Sequence, residues 1–180
     1  MGGLKLTRES ILDGTLHASV RALLGPGARF ATDAQRSAQV QAILERAPRP
    51  GRIWVFAFGS LIWNPAFHFV ERRQAATELD VVWRREMFTM SYRPVWTMAR
   101  TSKGPEPVIA FSANREHERY VPGLEDEVIA RYLATGAGPM GRCCDYLFDT
   151  VAHLRQLGIR DRRLEALEAR VRAQGLNVSP

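Results

Sequence analysis

Trp54-Val55-Phe56-Ala57-Phe58-Gly59-Ser60-Leu61-Ile62-Trp63-Asn64-Pro65-Ala66-Phe67 is the stretch on which the fold turns. Ile53 to Phe58 is a short run of apolar, aromatic and β-branched residues, the composition of a buried strand. Gly59-Ser60 interrupts it. Glycine there permits backbone dihedrals, or a close approach to a ligand, that other residues do not. Leu61-Ile62-Trp63 restores the apolar character, and Asn64-Pro65 ends the segment as a turn. Two readings stand side by side: a small-ligand loop after a buried strand, or a strand with a bulge.

The rest of the chain sets the frame for that choice. At 180 residues it reads as one domain with room for a real core, and 46% hydrophobic with 24% charged residues is the composition of a soluble globular protein. The net charge of +6 is carried mainly by arginine, but pairs such as Arg72-Arg73 and Arg84-Arg85 alternate with acids. That pattern suits a solvated face, so no nucleic-acid partner is expected; a modest positive field also suits an anionic small substrate. The longest apolar run, Trp54 to Trp63, is half a membrane span and contains Gly59-Ser60, so no membrane helix is expected. Met1 to Ser10 lacks the apolar core of a signal peptide, and Leu6 stands where a myristoylation motif needs Ser or Thr. Cys143 and Cys144 are adjacent and do not easily reach disulfide geometry. They read as reduced thiols of a cytoplasmic protein, with a redox switch as the lesser alternative.

In order along the chain, residues 1–6 read as a loose tail. Thr7 caps a helix through Ile11, Leu16, Val20 and Leu24, bent at Gly14 and broken by Gly25-Pro26-Gly27. Thr32 or Asp33 starts a second helix with Val40, Ile43 and Leu44. Residues 1–51 are thus expected to form an N-terminal helical extension and residues 52–174 the functional domain. Phe67 to Val70 reads as a short strand. A helix follows in which Ala75, Leu79, Val82, Trp83 and Glu86 share one face. Tyr92 to Ala99 is extended, Gly104-Pro105 a turn, and Val108 to Ala113 a strand. Leu124 to Leu133 is a helix, Gly136 to Gly141 a flexible loop, and Arg142 to Leu157 a helix closed by Gly158. Asp161 caps a last helix with Leu164, Leu167 and Val171. These alternations give an α+β fold.

Few residues carry chemistry. His17, His68, His117 and His153 lie in different elements without ligand spacing, so no metal is expected. Ser60 lacks the second glycine of a nucleophile elbow, although a triad of Ser60, His153 and Asp145 is conceivable. No phosphate loop or other cofactor motif is present. There remains Glu86, a carboxylate on an apolar helix face. Burial there raises its pKa unless a cation or donors compensate, so it is either an acid/base group or a capping or ion-paired glutamate with Arg85 or Arg93 as partner. One carboxylate and one Gly-Ser loop suit a reaction needing a single general base and backbone donors for an anionic oxygen.

Trp54 to Pro65 resembles the signature loop of the ChaC-type γ-glutamylcyclotransferases, which reads Tyr-Gly-Ser-Leu-x-Trp. Further blocks agree in order: Trp83-Arg84-Arg85-Glu86-Met87 with Tyr92, the region Val108 to Asn114, and Gly138-Pro139-Met140-Gly141-Arg142 leading to Asp145-Tyr146-Leu147-Phe148. The resemblance covers roughly residues 52–170. It implies a small mixed β-barrel packed with helices and, as activity, release of 5-oxoproline from glutathione, leaving Cys-Gly, without a cofactor. It implies Glu86 as the catalytic glutamate and Phe58, Gly59, Ser60, Leu61, Tyr92 and Tyr146 as substrate-binding residues. Two departures stand out. Phe58 replaces the signature tyrosine, and only Val70-Glu71-Arg72-Arg73-Gln74 separates Phe69 from Ala75, where the family has several barrel strands and an Arg-Gly-Thr loop. The expected barrel is therefore a reduced one. A homodimer through its exposed sheet edges is one consequence, and a homologue that binds a γ-glutamyl ligand or a protein without turnover is the competing reading.

Overall fold

The computed structural model describes residues 6–49, 53–66, 75–138 and 140–174. It is α+β: helices accompanied by two small antiparallel sheets. The chain divides into two compact units. The larger takes Leu6–Phe58 and Asn64–Tyr120, the smaller Gly59–Trp63 and the chain from Val121 onward.

In the larger unit, Thr7 caps α1 (Arg8–Leu12) through a reciprocal pair: its hydroxyl accepts from the Ser10 amide and the Ser10 hydroxyl from the Thr7 amide, each at 3.1 Å. The single bent helix expected here is two helices. Asp13 ends α1, and its carboxylate receives the Thr15 amide at 2.8 Å, which starts α2 (Thr15–Leu24) afresh. Leu6, expected in a loose tail, accepts at its carbonyl from Asn64 Nδ2 at 2.7 Å. Thr32, rather than Asp33, is the cap of α3 (Asp33–Glu45), again with a reciprocal partner, Gln35.

The next helix, α4 (Ala75–Glu86), supplies the core. Its Leu79, Val82 and Trp83, with Met87 just beyond its end, pack with Ile43 of α3 and with Ile109 and Phe111. Trp83 meets Phe111 edge-on at 5.2 Å between ring centroids. Ile109 and Phe111 belong to β2 (Gly104–Ala113), which pairs antiparallel with β1 (Tyr92–Thr101) in a register running from Tyr92 opposite Ala113 to Thr101 opposite Gly104. The turn is therefore Ser102-Lys103, two residues earlier than the expected Gly104-Pro105. The Thr101 hydroxyl closes it by donating to the Gly104 carbonyl and accepting from the Lys103 amide.

The expected buried strand Ile53–Phe58 is corrected to a single parallel bridge, Val55 beside Ile109. Phe56 N–H donates to the Ile109 carbonyl and Ile109 N–H to the Trp54 carbonyl, both at 2.8 Å. Val55 packs on the core, but Trp54 and Phe56 are each 50% exposed, because this edge has a core on one side only among the described residues.

The smaller unit packs α5 (Asp126–Thr135), α6 (Cys143–Gln156) and α7 (Arg162–Ala173) around Ala130, Cys144, Leu147, Val151, Leu167 and Val171. The helix start at Leu124 moves to Asp126. The flexible loop expected at Gly136 to Gly141 contains a miniature hairpin, β3 (Ala137–Gly138) against β4 (Gly141–Arg142). The end of α6 is a Schellman motif: Ile159 N–H returns to the Leu154 carbonyl and Gly158 N–H to that of Arg155, with Gly158 at φ +70°. Asp161 caps α7 by accepting from the Arg163 and Leu164 amides at 3.0 Å.

Both sheets are two-stranded and open among the described residues, so the reduced barrel is not seen there; the strand expected at Phe67–Val70 lies outside them. No helix among the described residues is long and apolar enough to cross a membrane. Cys143 and Cys144 are free thiols, the first exposed and the second buried.

Candidate active site

Glu86 is the last residue of α4. Helical spacing carries it round to the face of the buried Leu79, Val82 and Trp83, and its side chain is 12% exposed. Burial pushes its pKa up, while the adjacent Arg85 opposes that shift by charge and by hydrogen bond. Arg85 Nε lies 2.9 Å from Glu86 Oε1, and the Arg85 side chain is 3% exposed. The same guanidinium donates through a terminal nitrogen to the Asn64 carbonyl. The two readings of Glu86 thus merge, since an ion-paired glutamate can still be a base when burial outweighs the pairing. Arg93, the other candidate partner, pairs with Glu116 at 2.5 Å. Tyr92 opens β1 and meets Phe58 edge-on at 5.8 Å between centroids, both rings lying against the core. In the larger unit, then, the structure places Glu86, Phe58 and Tyr92.

In the smaller unit, Gly59–Leu61 forms one turn of 3-10 helix, with Ile62 N–H bonded to the Gly59 carbonyl at 3.0 Å and Leu61 buried. Ser60 N–H donates to the Tyr146 hydroxyl at 3.2 Å. Gly59 has φ +51°, and a Cβ at that position would fall 2.2 Å from the same hydroxyl. Only glycine satisfies both constraints. Beyond the turn, the Trp63 indole is tilted against Tyr146 (5.7 Å) and stacked on His153 (4.9 Å, 18° between planes). Tyr146, Thr150 and His153 follow one face of α6, and Thr150, buried between the rings in sequence, donates to the Tyr146 carbonyl at 2.7 Å. Here the structure brings together Gly59, Ser60, Leu61 and Tyr146.

The conceivable triad does not form. His153 turns Nδ1 to the Asp149 carbonyl at 2.7 Å rather than to Asp145, and its ring face is covered by Trp63. Trp63 and His153 were not expected to be ring partners. The signal was present in the sequence: the seven-residue step from Tyr146 to His153 puts both on one helix face. No group of His, Cys, Asp and Glu among the described residues has the arrangement of a metal site. A shallow hollow lined by Arg155, Gly158, Ile159, Arg160 and Glu165 contains none of the candidate residues.

The chain is similar to known proteins over most of its length. A family model described as ChaC-like protein matches residues 53–92 and 70–174, in two overlapping pieces. The glutathione-specific gamma-glutamylcyclotransferase of Escherichia coli (strain K12) is 27% identical over 181 aligned residues, covering 74% of this chain and 78% of that protein. Those aligned positions outnumber the residues of this chain that they cover, so the relative has residues where this chain has gaps.

Proposed function

Because the chain belongs to the ChaC-like protein family, we propose that it is a γ-glutamylcyclotransferase that converts glutathione to 5-oxoproline and Cys-Gly. The substrate's α-amine attacks its own γ-carbonyl, so the nucleophile is already held within reach and no cofactor enters the step. The new bond joins the α-nitrogen to the γ-carbon, and the bond that breaks joins that carbon to the cysteinyl nitrogen. Two protons leave the α-ammonium, whose nitrogen keeps one hydrogen as the lactam N–H, and the departing cysteinyl nitrogen gains two and leaves as an ammonium; no water is consumed.

Glu86 is the proton carrier in this reading. Its burial makes it a stronger base than an exposed carboxylate, and Arg85 favours its ionised form. The turn Gly59-Ser60-Leu61 holds the glutamyl end. The Ser60 amide is already engaged by Tyr146, so the Tyr146 hydroxyl is the donor that meets the ligand, polarised by the amide behind it. Phe58 and Tyr92 shape the apolar flank. We further place the activity in residues 52–174, in the cytoplasm, with a homodimer formed through the open edge beside Val55. The observation that carries the proposal is the buried, arginine-paired Glu86 at the end of α4 in a chain of this family.

Incubation of the purified protein with glutathione, followed by mass spectrometry, tests it: equimolar 5-oxoproline and Cys-Gly are expected. E86Q should lose at least about a hundredfold in kcat. Turnover retained in E86Q would remove Glu86 from its role. Two observations favour a second reading, binding of a γ-glutamyl ligand without turnover: both sheets are open among the described residues, and the relative has residues where this chain has gaps. In that case glutathione binds, measurably by calorimetry, and no 5-oxoproline appears.

A further inference from the structure

We propose that Arg85 is a positioning residue, whose single guanidinium fixes the Glu86 carboxylate and the Asn64 backbone; the inference rests on the reading of Glu86 as proton carrier. A guanidinium 3% exposed has little water to solvate it and is stable only when its donors are used. Two are accounted for, Nε at Glu86 Oε1 and a terminal nitrogen at the Asn64 carbonyl. Asn64 is the first residue after Trp63. Neighbours at i and i+1 on a helix project in directions about 100° apart, so helical spacing does not produce this pair.

Among the described residues, other charges on and against α4 are engaged elsewhere. Arg8 makes two bonds to Glu78 (2.6 and 2.7 Å), and Arg84 meets Asp80 at 2.6 Å and Asp33 at 3.8 Å. Among the described residues, Arg85 is the charge that bears on Glu86. Its action fits both halves of the proton transfer. It favours the carboxylate that accepts a proton, and it favours return of that proton once the acid has formed. Lysine supplies the same charge but not the positioning, because its compact ammonium lacks the fixed fork that serves two acceptors in different directions.

The test uses the full chain with 13C-labelled glutamate side chains, the Glu86 carboxyl signal being identified by its loss in E86Q. Its titration is followed in wild type, R85K and R85M. R85M is expected to move the Glu86 midpoint upward, and R85K to leave it close to wild type. In parallel, R85M should lose about tenfold or more in kcat at pH 7 with little change in KM, and regain part of the loss as pH rises. A merely structural arginine would lower the folded fraction without moving the midpoint. An unmoved midpoint in R85M overturns the proposal, as does a raised midpoint with kcat unchanged. Should R85M not fold, R85M/E86Q is expected to fold, because the defect is then a buried carboxylate without its cation; a double variant that also fails to fold overturns it. If wild type releases no 5-oxoproline, the proposed activity fails, while the carboxyl titration still decides whether Arg85 sets the state of Glu86.

Discussion

At the end of α4 the Glu86 carboxylate is nearly buried and, among the described residues, has Arg85 as the cation against it, and burial outweighs that cation. A carboxyl whose pKa is higher in the folded protein than in the unfolded chain binds its proton more tightly when folded. Its contribution to stability is complete below the unfolded pKa and is lost as pH rises through the folded one. E86Q resembles the protonated acid, and the loss of attraction to Arg85 is already included in that balance. E86Q is therefore expected to melt at the same temperature as wild type or higher at pH 7, the two converging toward pH 4, as differential scanning calorimetry across that range will show. Gly59 obeys a different constraint. G59A places a left-handed backbone under an L side chain, costing about 1–2 kcal/mol, and drives its Cβ into the Tyr146 hydroxyl. In G59A/Y146F the collision is relieved, since the ring carbon behind that hydroxyl lies 3.4 Å from the same point. The double variant should therefore recover part of the stability lost in G59A, but not the backbone strain. A thermal-melt cycle of the four proteins measures the coupling, and additive effects would mean that Tyr146 moves aside freely.

Across α6, rings rather than charges fasten the Gly59–Trp63 turn. The Trp63 indole lies against Tyr146 and His153, and such ring pairs contribute about 0.5–1.5 kcal/mol beyond their buried area. H153A is expected to loosen Trp63 and Tyr146, speeding amide exchange at Ser60 several-fold and raising KM. H153F, which keeps a flat ring, should restore both. Equal exchange in H153A and wild type would show that the His153 stack does not brace the turn. These contacts also mark how far the sequence was legible. Helix starts at Thr7, Thr32 and Asp161 were readable because capping depends on side chains within three residues. The placement of Glu86 with Leu79, Val82 and Trp83 follows from the same local periodicity. Burial of Trp54 and Phe56 was not readable, because it depends on what lies across the sheet rather than on neighbours in the chain. For the same reason the pairing of Tyr146 with the Ser60 amide, 86 residues apart, left no local signature.

For the whole molecule the consequence lies at the sheet edge that is open among the described residues. Val55 joins β2 through the groups of its two neighbours, Phe56 N–H and the Trp54 carbonyl, so its own N–H and C=O point away from β2. Trp54 and Phe56 stand half-exposed beside them, and Val95 of β1 is 38% exposed. The far edge is unlike this one, because β1 carries Arg93, Pro94 and Arg100, residues that discourage another strand. The proposed strand pairing between copies is thus directed to the Trp54–Phe56 side, where a two-fold axis would set each aromatic pair against its equivalent. Sedimentation equilibrium at tens of micromolar is expected to give a dimer. W54E/F56E should shift it to monomer, since like charges facing across a two-fold contact repel, while R93E at the blunted edge should leave the dimer intact. A wild-type monomer at that concentration, or a dimer indifferent to W54E/F56E, would mean that this edge is left to solvent.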